Sequence, residues 1–300
     1  MQAKVTAVSA AVASITAVFV HRDLQARAVE RAFESRFAGK RNVQRVIAGA
    51  EAFTLTGVDD RAIVLLHGYN DSPQTLRSPA RAYHEAGWTV YAPLLPGHGR
   101  TLPDFAASTA AQWIDAGRAA VREALLRHKR VAVGGLSMGG AIAIITAAEF
   151  AAVQGAVLFA PFLVHSRRLG LIARAWPLLT LWTKYLTGGT ASRSIRDPDA
   201  RATIIAYGCS TPHLLREIQK VVRRARAALP QVRQPVFMAQ SSDDYRIPAA
   251  DAAAAFRALG STDKTLHWTT GNGHVITMDY GHEQLSAEAV AWLNERMPAR

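Results

Sequence analysis

From residue 43 onward, short fully apolar runs alternate with longer runs whose apolar residues recur at helical spacing. Ala62-Ile63-Val64-Leu65-Leu66 is apolar at every position, as expected of a strand buried on both faces. Similar runs predict strands over 88–92, 131–134, 156–160, 235–239 and 264–268, and 43–55 supplies the opening strands. Between them the spacing predicts helices over 76–86, 109–128 and 141–148, with a closing helix over 284–297. Strands alternating with helices argue for an α/β fold built on a mainly parallel, doubly wound sheet. There is no internal repeat.

Two stretches depart from this alternation. Residues 162–234 contain no convincing strand, so they read as an inserted helical cap between core segments 43–161 and 235–300. The first half of the cap is apolar, with Leu169, Leu171, Ile172, Trp176, Leu178, Leu179, Leu181, Trp182, Tyr185 and Leu186. The second half is an amphipathic helix over 213–229, with Leu214, Leu215, Ile218, Val221, Val222 and Ala225 on one face. Such a stripe shapes an apolar pocket or simply packs the core of the subdomain. The other departure is the N-terminal segment 1–42. Residues 5–20 carry no charge, and a basic flank containing Arg22, Arg27, Arg31, Arg36, Lys40 and Arg41 follows. That run is shorter than the roughly 20 residues a spanning helix needs. It reads as a membrane anchor or membrane-associated helix ahead of a cleaved signal or a helix lying on the domain. An inserted segment with this flank keeps the rest of the chain in the cytoplasm; a cleaved signal would export it. Residues 23–40 are then an amphipathic helix or linker.

The 300 residues suffice for one large domain with an insertion. The single cysteine, Cys209, excludes an internal disulfide framework and a cysteine-rich zinc site. Lys and Arg exceed Asp and Glu by 35 to 23, a formal charge of +12. No zinc finger, RNA-binding motif or long basic block accompanies that charge. No nucleic-acid partner is therefore expected, and an anionic membrane surface is the partner the basic cap would suit.

The chemistry-bearing motif is Gly135-Leu136-Ser137-Met138-Gly139, between the strand 131–134 and an apolar helix. This is the setting of a nucleophile elbow, a strand-to-helix turn so tight that the serine is strained and side chains two residues either side would collide. Glycines 135 and 139 remove those side chains. A serine nucleophile needs a base, and the base needs an orienter. Asp244 suits the acid, in the loop after 235–239 and ahead of Ile247-Pro248; Asp243 is its neighbour and rival. His274, in Gly271-Asn272-Gly273-His274 after the last strand, suits the base better than His267 within the strand or His282 at the last helix. Two oxyanion donors are expected. One is the Met138 N–H at a helix N-terminus. The other is the Tyr69 N–H in His67-Gly68-Tyr69, whose phenol either adds a donor or packs. His67 and His98 brace these loops.

Together, His67-Gly68-Tyr69, Pro96-Gly97-His98-Gly99, the elbow, Asp244 and Gly273-His274-Val275-Ile276-Thr277-Met278-Asp279 resemble the α/β-hydrolase superfamily. The likeness is greatest to its bacterial carboxylesterase and monoacylglycerol lipase branch, from about residue 51 onward. The resemblance implies Ser137, Asp244 and His274 as the catalytic triad, Tyr69 and Met138 as the oxyanion hole, and no metal or organic cofactor. It implies an esterase acting through an acyl-enzyme on small-molecule esters, and the apolar cap suggests an acyl chain or aryl ester, monoacylglycerols among them, rather than a charged substrate. Thioester hydrolysis, acyl transfer, perhydrolysis and carbon–carbon hydrolysis use the same elbow, and a non-catalytic basic binding module is the reading from a different class. The uncharged segment 5–20, Tyr69 where phenylalanine is common, and the arginine-rich cap depart from the branch.

Overall fold

In the computed structural model, residues 2–164, 175–187 and 191–299 are described, with side chains from residue 16 onward except those of Trp176, Ala191 and Ser192. Seven strands form one sheet: β1 (Phe53–Leu55), β2 (Arg61–Leu66), β3 (Thr89–Ala92), β4 (Arg130–Leu136), β5 (Val153–Phe159), β6 (Val236–Ser241) and β7 (Lys264–Thr269). Their order is β1-β3-β2-β4-β5-β6-β7; β1 is antiparallel to β3 and every other pairing is parallel. β2, β4 and β6 are buried at every position, as the apolar runs at their centres require, with Arg61, Arg130, Gln240 and Ser241 buried at their ends.

Helices cover both faces. Helix α1 (Gln2–Arg36) precedes the sheet, and α2 (Arg77–Glu85), α3 (Leu102–Ala107), α4 (Ala110–Arg127) and α5 (Met138–Glu149) lie between its strands. Helices α6 (Trp176–Trp182), α7 (Ala191–Ser194), α8 (Pro198–Thr203) and α9 (Pro212–Ala228) stand between β5 and β6. Then α10 (Ala249–Ala258) separates β6 from β7, and α11 (His282–Arg296) closes the chain. On one face α2 packs against α11, where the Tyr83 hydroxyl donates to the Ala289 carbonyl at 3.2 Å. On the other, α4, α5 and α9 pack together. The stripe Leu214, Ile218, Val221, Val222 and Ala225 of α9 is buried there, so it belongs to a layer shared with the core helices.

Several elements differ from expectation. Of the run 43–55, only Phe53–Leu55 becomes a strand, because β3 offers one free edge; upstream only Arg41 and Ile47 form a bridge. A short helix that the spacing did not predict, α3, begins at Leu102. Thr101 caps that helix by accepting from the Asp104 N–H, and Asp104 returns the bond to the Thr101 backbone. The N-terminal segment is one helix rather than an apolar run followed by a separate helix or linker. Among the described residues, no helix is long and apolar enough to cross a membrane. The expected apolar positions Leu169, Leu171 and Ile172 lie outside the described residues, as does the side chain of Trp176.

The second half of α1 is tied down. Ala26, Phe33 and Phe37 are buried, and the Phe33 ring stacks on Tyr207 at 5.0 Å. Glu30 accepts from the Tyr185 hydroxyl and the Lys184 ammonium, each at 2.7 Å. Arg36 donates to the carbonyls of Ile204 and Ala206 at 2.8 and 3.0 Å.

Candidate active site

The parallel strands end at one edge of the sheet, and four of the loops leaving that edge converge. Ser137 stands between β4 and α5 with φ 54° and ψ −113°, a left-handed backbone that a serine adopts only under constraint. The flanking glycines are a steric necessity. A Cβ on Gly139 would stand 1.9 Å from the Leu66 carbonyl oxygen, and one on Gly135 would stand 2.5 Å from the Gly139 backbone. The turn is fastened by the Ser137 N–H donating to Phe159 at 2.9 Å and by the Phe162 N–H donating to the Ser137 carbonyl at 3.0 Å.

His274 lies on the loop after β7. Its Nδ1 is 2.7 Å from Asp244 Oδ2 and its Nε2 is 2.8 Å from Ser137 Oγ. A carboxylate accepts only, so Nδ1 carries the proton and Nε2 is left to accept from the serine hydroxyl. Asp244 follows β6. Its Oδ1 accepts from the backbone N–H groups of Arg246 and Ile247, at 2.8 and 3.2 Å. Its Oδ2 also accepts from the Gln240 amide at 2.9 Å. Burial pushes its pKa up, but the bond and charge of His274 and the donors on Arg246 and Gln240 outweigh burial and hold it below the usual carboxylate value. Asp243 turns away, accepting from the Gly271 N–H at 2.8 Å and pairing with Arg196. The structure thus brings Ser137, His274 and Asp244 together and leaves Asp243 as a loop tether.

The loop after β2 forms the facing wall. A Cβ on Gly68 would lie 3.5 Å from the Ser137 Cβ, so the backbone runs close past the serine. Neither the Tyr69 N–H nor the Met138 N–H is used by another group among the described residues. The Tyr69 phenol bonds the Ser210 hydroxyl, and its ring packs against Phe105 and Trp113. It ties this loop to the segment before α9 and does not point at the serine as a donor. His67 accepts from the Leu95 N–H through Nε2 at 3.0 Å, so its Nδ1 carries the proton given to the Gly68 carbonyl at 2.9 Å. Burial drives both His67 and His98 down, His98 to about 4, and both are neutral braces.

Two acids escaped the reading of the sequence. Asp279 is fully buried and accepts from the Gly273 N–H at 2.6 Å, from Arg196 and Asp197 at 2.8 and 2.9 Å, and from Tyr280 at 2.9 Å. It fixes the backbone next to His274. Its place at the end of the Gly273–Asp279 motif was the available signal. Asp71 accepts from the Ser72 N–H and the Thr75 hydroxyl at 2.7 Å each, and burial pushes it up to about 7. A cavity of about 290 Å³ opens on Ser137 and His274, with Phe162, Leu186, Ile204, Leu215, Ile218 and Val275 among its walls.

A serine at an elbow, a relayed histidine and two nearby N–H groups with no acceptor among the described residues, at the carboxyl ends of a mostly parallel sheet, define an α/β-hydrolase, a serine hydrolase in class. The serine aminopeptidase, S33, family (Hydrolase_4) matches residues 58–281, and the chain belongs to it. A thermostable monoacylglycerol lipase of Bacillus sp. (strain H-257) is 26% identical over 242 residues, 78% of this chain and 90% of that protein. A carboxylesterase of Bacillus subtilis (strain 168) is 23% identical over 251 residues, 81% and 96% of the two chains. Among solved structures, one described with the metagenome-derived lipolytic enzymes LipS and LipT has a TM-score of 0.76 at 29% identity, covering 83% of this chain and 99% of that one.

Proposed function

We propose that this protein is a serine carboxylic-ester hydrolase acting on esters with apolar acyl chains, monoacylglycerol-type esters among them. The observation that carries the reading is the relay from Asp244 through His274 to Ser137, at 2.7 and 2.8 Å, opening on a mainly apolar cavity. In the proposed reaction His274 Nε2 takes the Ser137 proton as Oγ attacks the ester carbonyl. Asp244 holds the ring and stabilises its charged form. The N–H groups of Tyr69 and Met138 receive the oxyanion. His274 then protonates the leaving alcohol, and the acyl-enzyme is cleared by a water that His274 deprotonates.

Peptide cleavage is the second reading, because Asp71 is a carboxylate in the cavity wall that could face a substrate ammonium. Its oxygens are already engaged by Ser72 and Thr75, which favours the ester. A chain-length series of p-nitrophenyl and glycerol esters, run beside amino-acid p-nitroanilides, separates the two. Ester turnover that vanishes in Ser137→Ala is expected; equal ester hydrolysis by both proteins, or turnover of the anilides alone, overturns the proposal.

Residues 162–234 are proposed as the cap over this site. An apolar patch shared by that cap and α1 suggests where the enzyme works. Val20 and Leu24 on α1 and Leu178, Leu181 and Trp182 on α6 are exposed, and the two helices touch through Arg22 and the Thr180 carbonyl. We place this patch, on a chain of formal charge +12, against an anionic lipid surface.

A further inference from the structure

One side chain in the catalytic cavity has no task in the mechanism above. Gln219 stands on α9, is 3% exposed, and lines the cavity beside Leu215 and Ile218. Its Nε2 is enclosed and finds no hydrogen-bond partner among the described residues. Leu215 and Gln219 are four residues apart, so they share one helix face, and a hydrophobic residue at 219 would continue the apolar wall. Burying an amide there without a partner costs free energy, and a native structure that keeps one calls for an explanation. The wall holds a second such group. Asn70 follows Tyr69, and its Oδ1 is likewise enclosed without a partner among the described residues. Its φ of 65° is a conformation asparagine tolerates better than most residues, so the backbone alone accounts for Asn70. Nothing comparable accounts for Gln219.

An amide offers both a donor and an acceptor, and a hydroxyl satisfies either. The rest of the wall gives a fully apolar ligand no reason to need such a group. We infer that Gln219, with Asn70, forms a polar subsite that receives a hydroxyl of the substrate and makes the enzyme selective for hydroxyl-bearing esters over unsubstituted ones. The inference rests on the ester-hydrolase reading and names the substrate feature that this cavity selects. The hydroxyl could belong to the alcohol, as in a polyol monoester, or to the acyl chain. The chemistry recognised is the same, and a site built to bond a hydroxyl discriminates against the analogue lacking it because its own polar groups are then left unpaired.

The test compares two matched pairs. One is a glycerol monoester against the propyl ester of the same acid; the other is a hydroxyacyl against a plain acyl p-nitrophenyl ester. In wild type, kcat/KM is expected to favour the hydroxylated member of at least one pair, and the pair concerned tells which side of the ester the subsite reads. In Gln219→Met that ratio is expected to fall about tenfold, the size of effect typical for a lost buried hydrogen bond. Gln219→Glu, which keeps an acceptor and loses the donor, provides a second reading should the methionine variant fail to fold. Ratios near one in wild type, or equal losses on both members of each pair in the variants, overturn the subsite and leave Gln219 a structural amide. Absence of any Ser137-dependent turnover of the plain esters would instead sink the ester-hydrolase reading on which the subsite depends.

Discussion

Asp71 is a carboxyl group buried beside the proposed oxyanion loop with no ion-pair partner among the described residues. Burial raises its pKa to about 7, from the 3.8 of an ordinary aspartate, despite donors from Thr75, Ser72 and Gly68. A raised folded-state pKa means that the group favours the fold below its unfolded pKa, and that this contribution disappears as pH rises through about 7. Roughly three pKa steps at about 1.4 kcal/mol each put the limit of this effect near 4 kcal/mol. Asp244 has the opposite sign: its lowered pKa adds stability that is lost as pH falls. Urea unfolding across this range should therefore show a slope in wild type that Asp71→Asn flattens, with the variant gaining on wild type toward alkaline pH. A slope unchanged by the substitution would mean that Asp71 is ionised in the fold. Asp279 permits a second residue-level prediction. It binds the backbone beside His274 and touches no reacting group in the proposed mechanism, so Asp279→Ala should lower kcat about ten- to a hundredfold by loosening the base. Wild-type turnover of p-nitrophenyl butyrate by that variant would remove this role.

Among elements, the elbow was the most legible, because its steric demand is written in residue types. Glycine at 135 and 139 is dictated by backbone contacts that a Cβ would place at 2.5 and 1.9 Å, and no side chain elsewhere can compensate. Gly139→Ala should accordingly prevent recovery of folded protein. Gly208→Ala is the control: beyond its chain neighbours, no atom of the described residues lies within 4 Å of a Cβ there, although its φ of 69° carries a modest strain. The proposed acid, base and oxyanion loop could be picked out for a related reason, since each follows a strand and strand ends are marked by the close of an apolar run. What stayed hidden depended on partners distant in sequence. Residues 43–52 look like strand by composition, but only Phe53–Leu55 meets an open edge. The continuity of α1 was also hidden, because Phe33 and Arg36 are held by Tyr207, Ile204 and Ala206, some 170 residues away. Those contacts make α1 a strut for one cavity wall, Ile204 and Ala206. Phe33→Ala should cost about 3 kcal/mol in urea unfolding and raise KM more than it lowers kcat. An unchanged KM would show that the wall stands without the helix.

At the scale of the whole molecule, charge and apolar surface point the same way. A formal charge of +12 could reflect composition alone, but it coincides with exposed apolar side chains gathered in one place. Among the described residues, five of the ten exposed large hydrophobic side chains stand on α1 and α6, with Leu178 66% and Trp182 68% exposed. Two contacting helices that present leucines and a tryptophan, with Arg22 paired to Asp23 and Lys184 paired to Glu30 nearby, match the apolar side of an interfacial lipid site, and the net positive charge of the chain supplies the attraction to anionic headgroups. Electrostatic attraction of this kind is screened over about 10 Å at 0.1 M salt, whereas the apolar contribution survives it. The protein should therefore co-sediment with phosphatidylglycerol vesicles at low salt, weaken but not vanish at high salt, and bind phosphatidylcholine vesicles poorly throughout. Leu178→Ser combined with Trp182→Ser should remove the salt-resistant part while p-nitrophenyl acetate turnover continues, since neither residue lines the cavity. Binding abolished entirely by salt, and indifferent to those two substitutions, would reduce the effect to net charge and leave the patch without a lipid role.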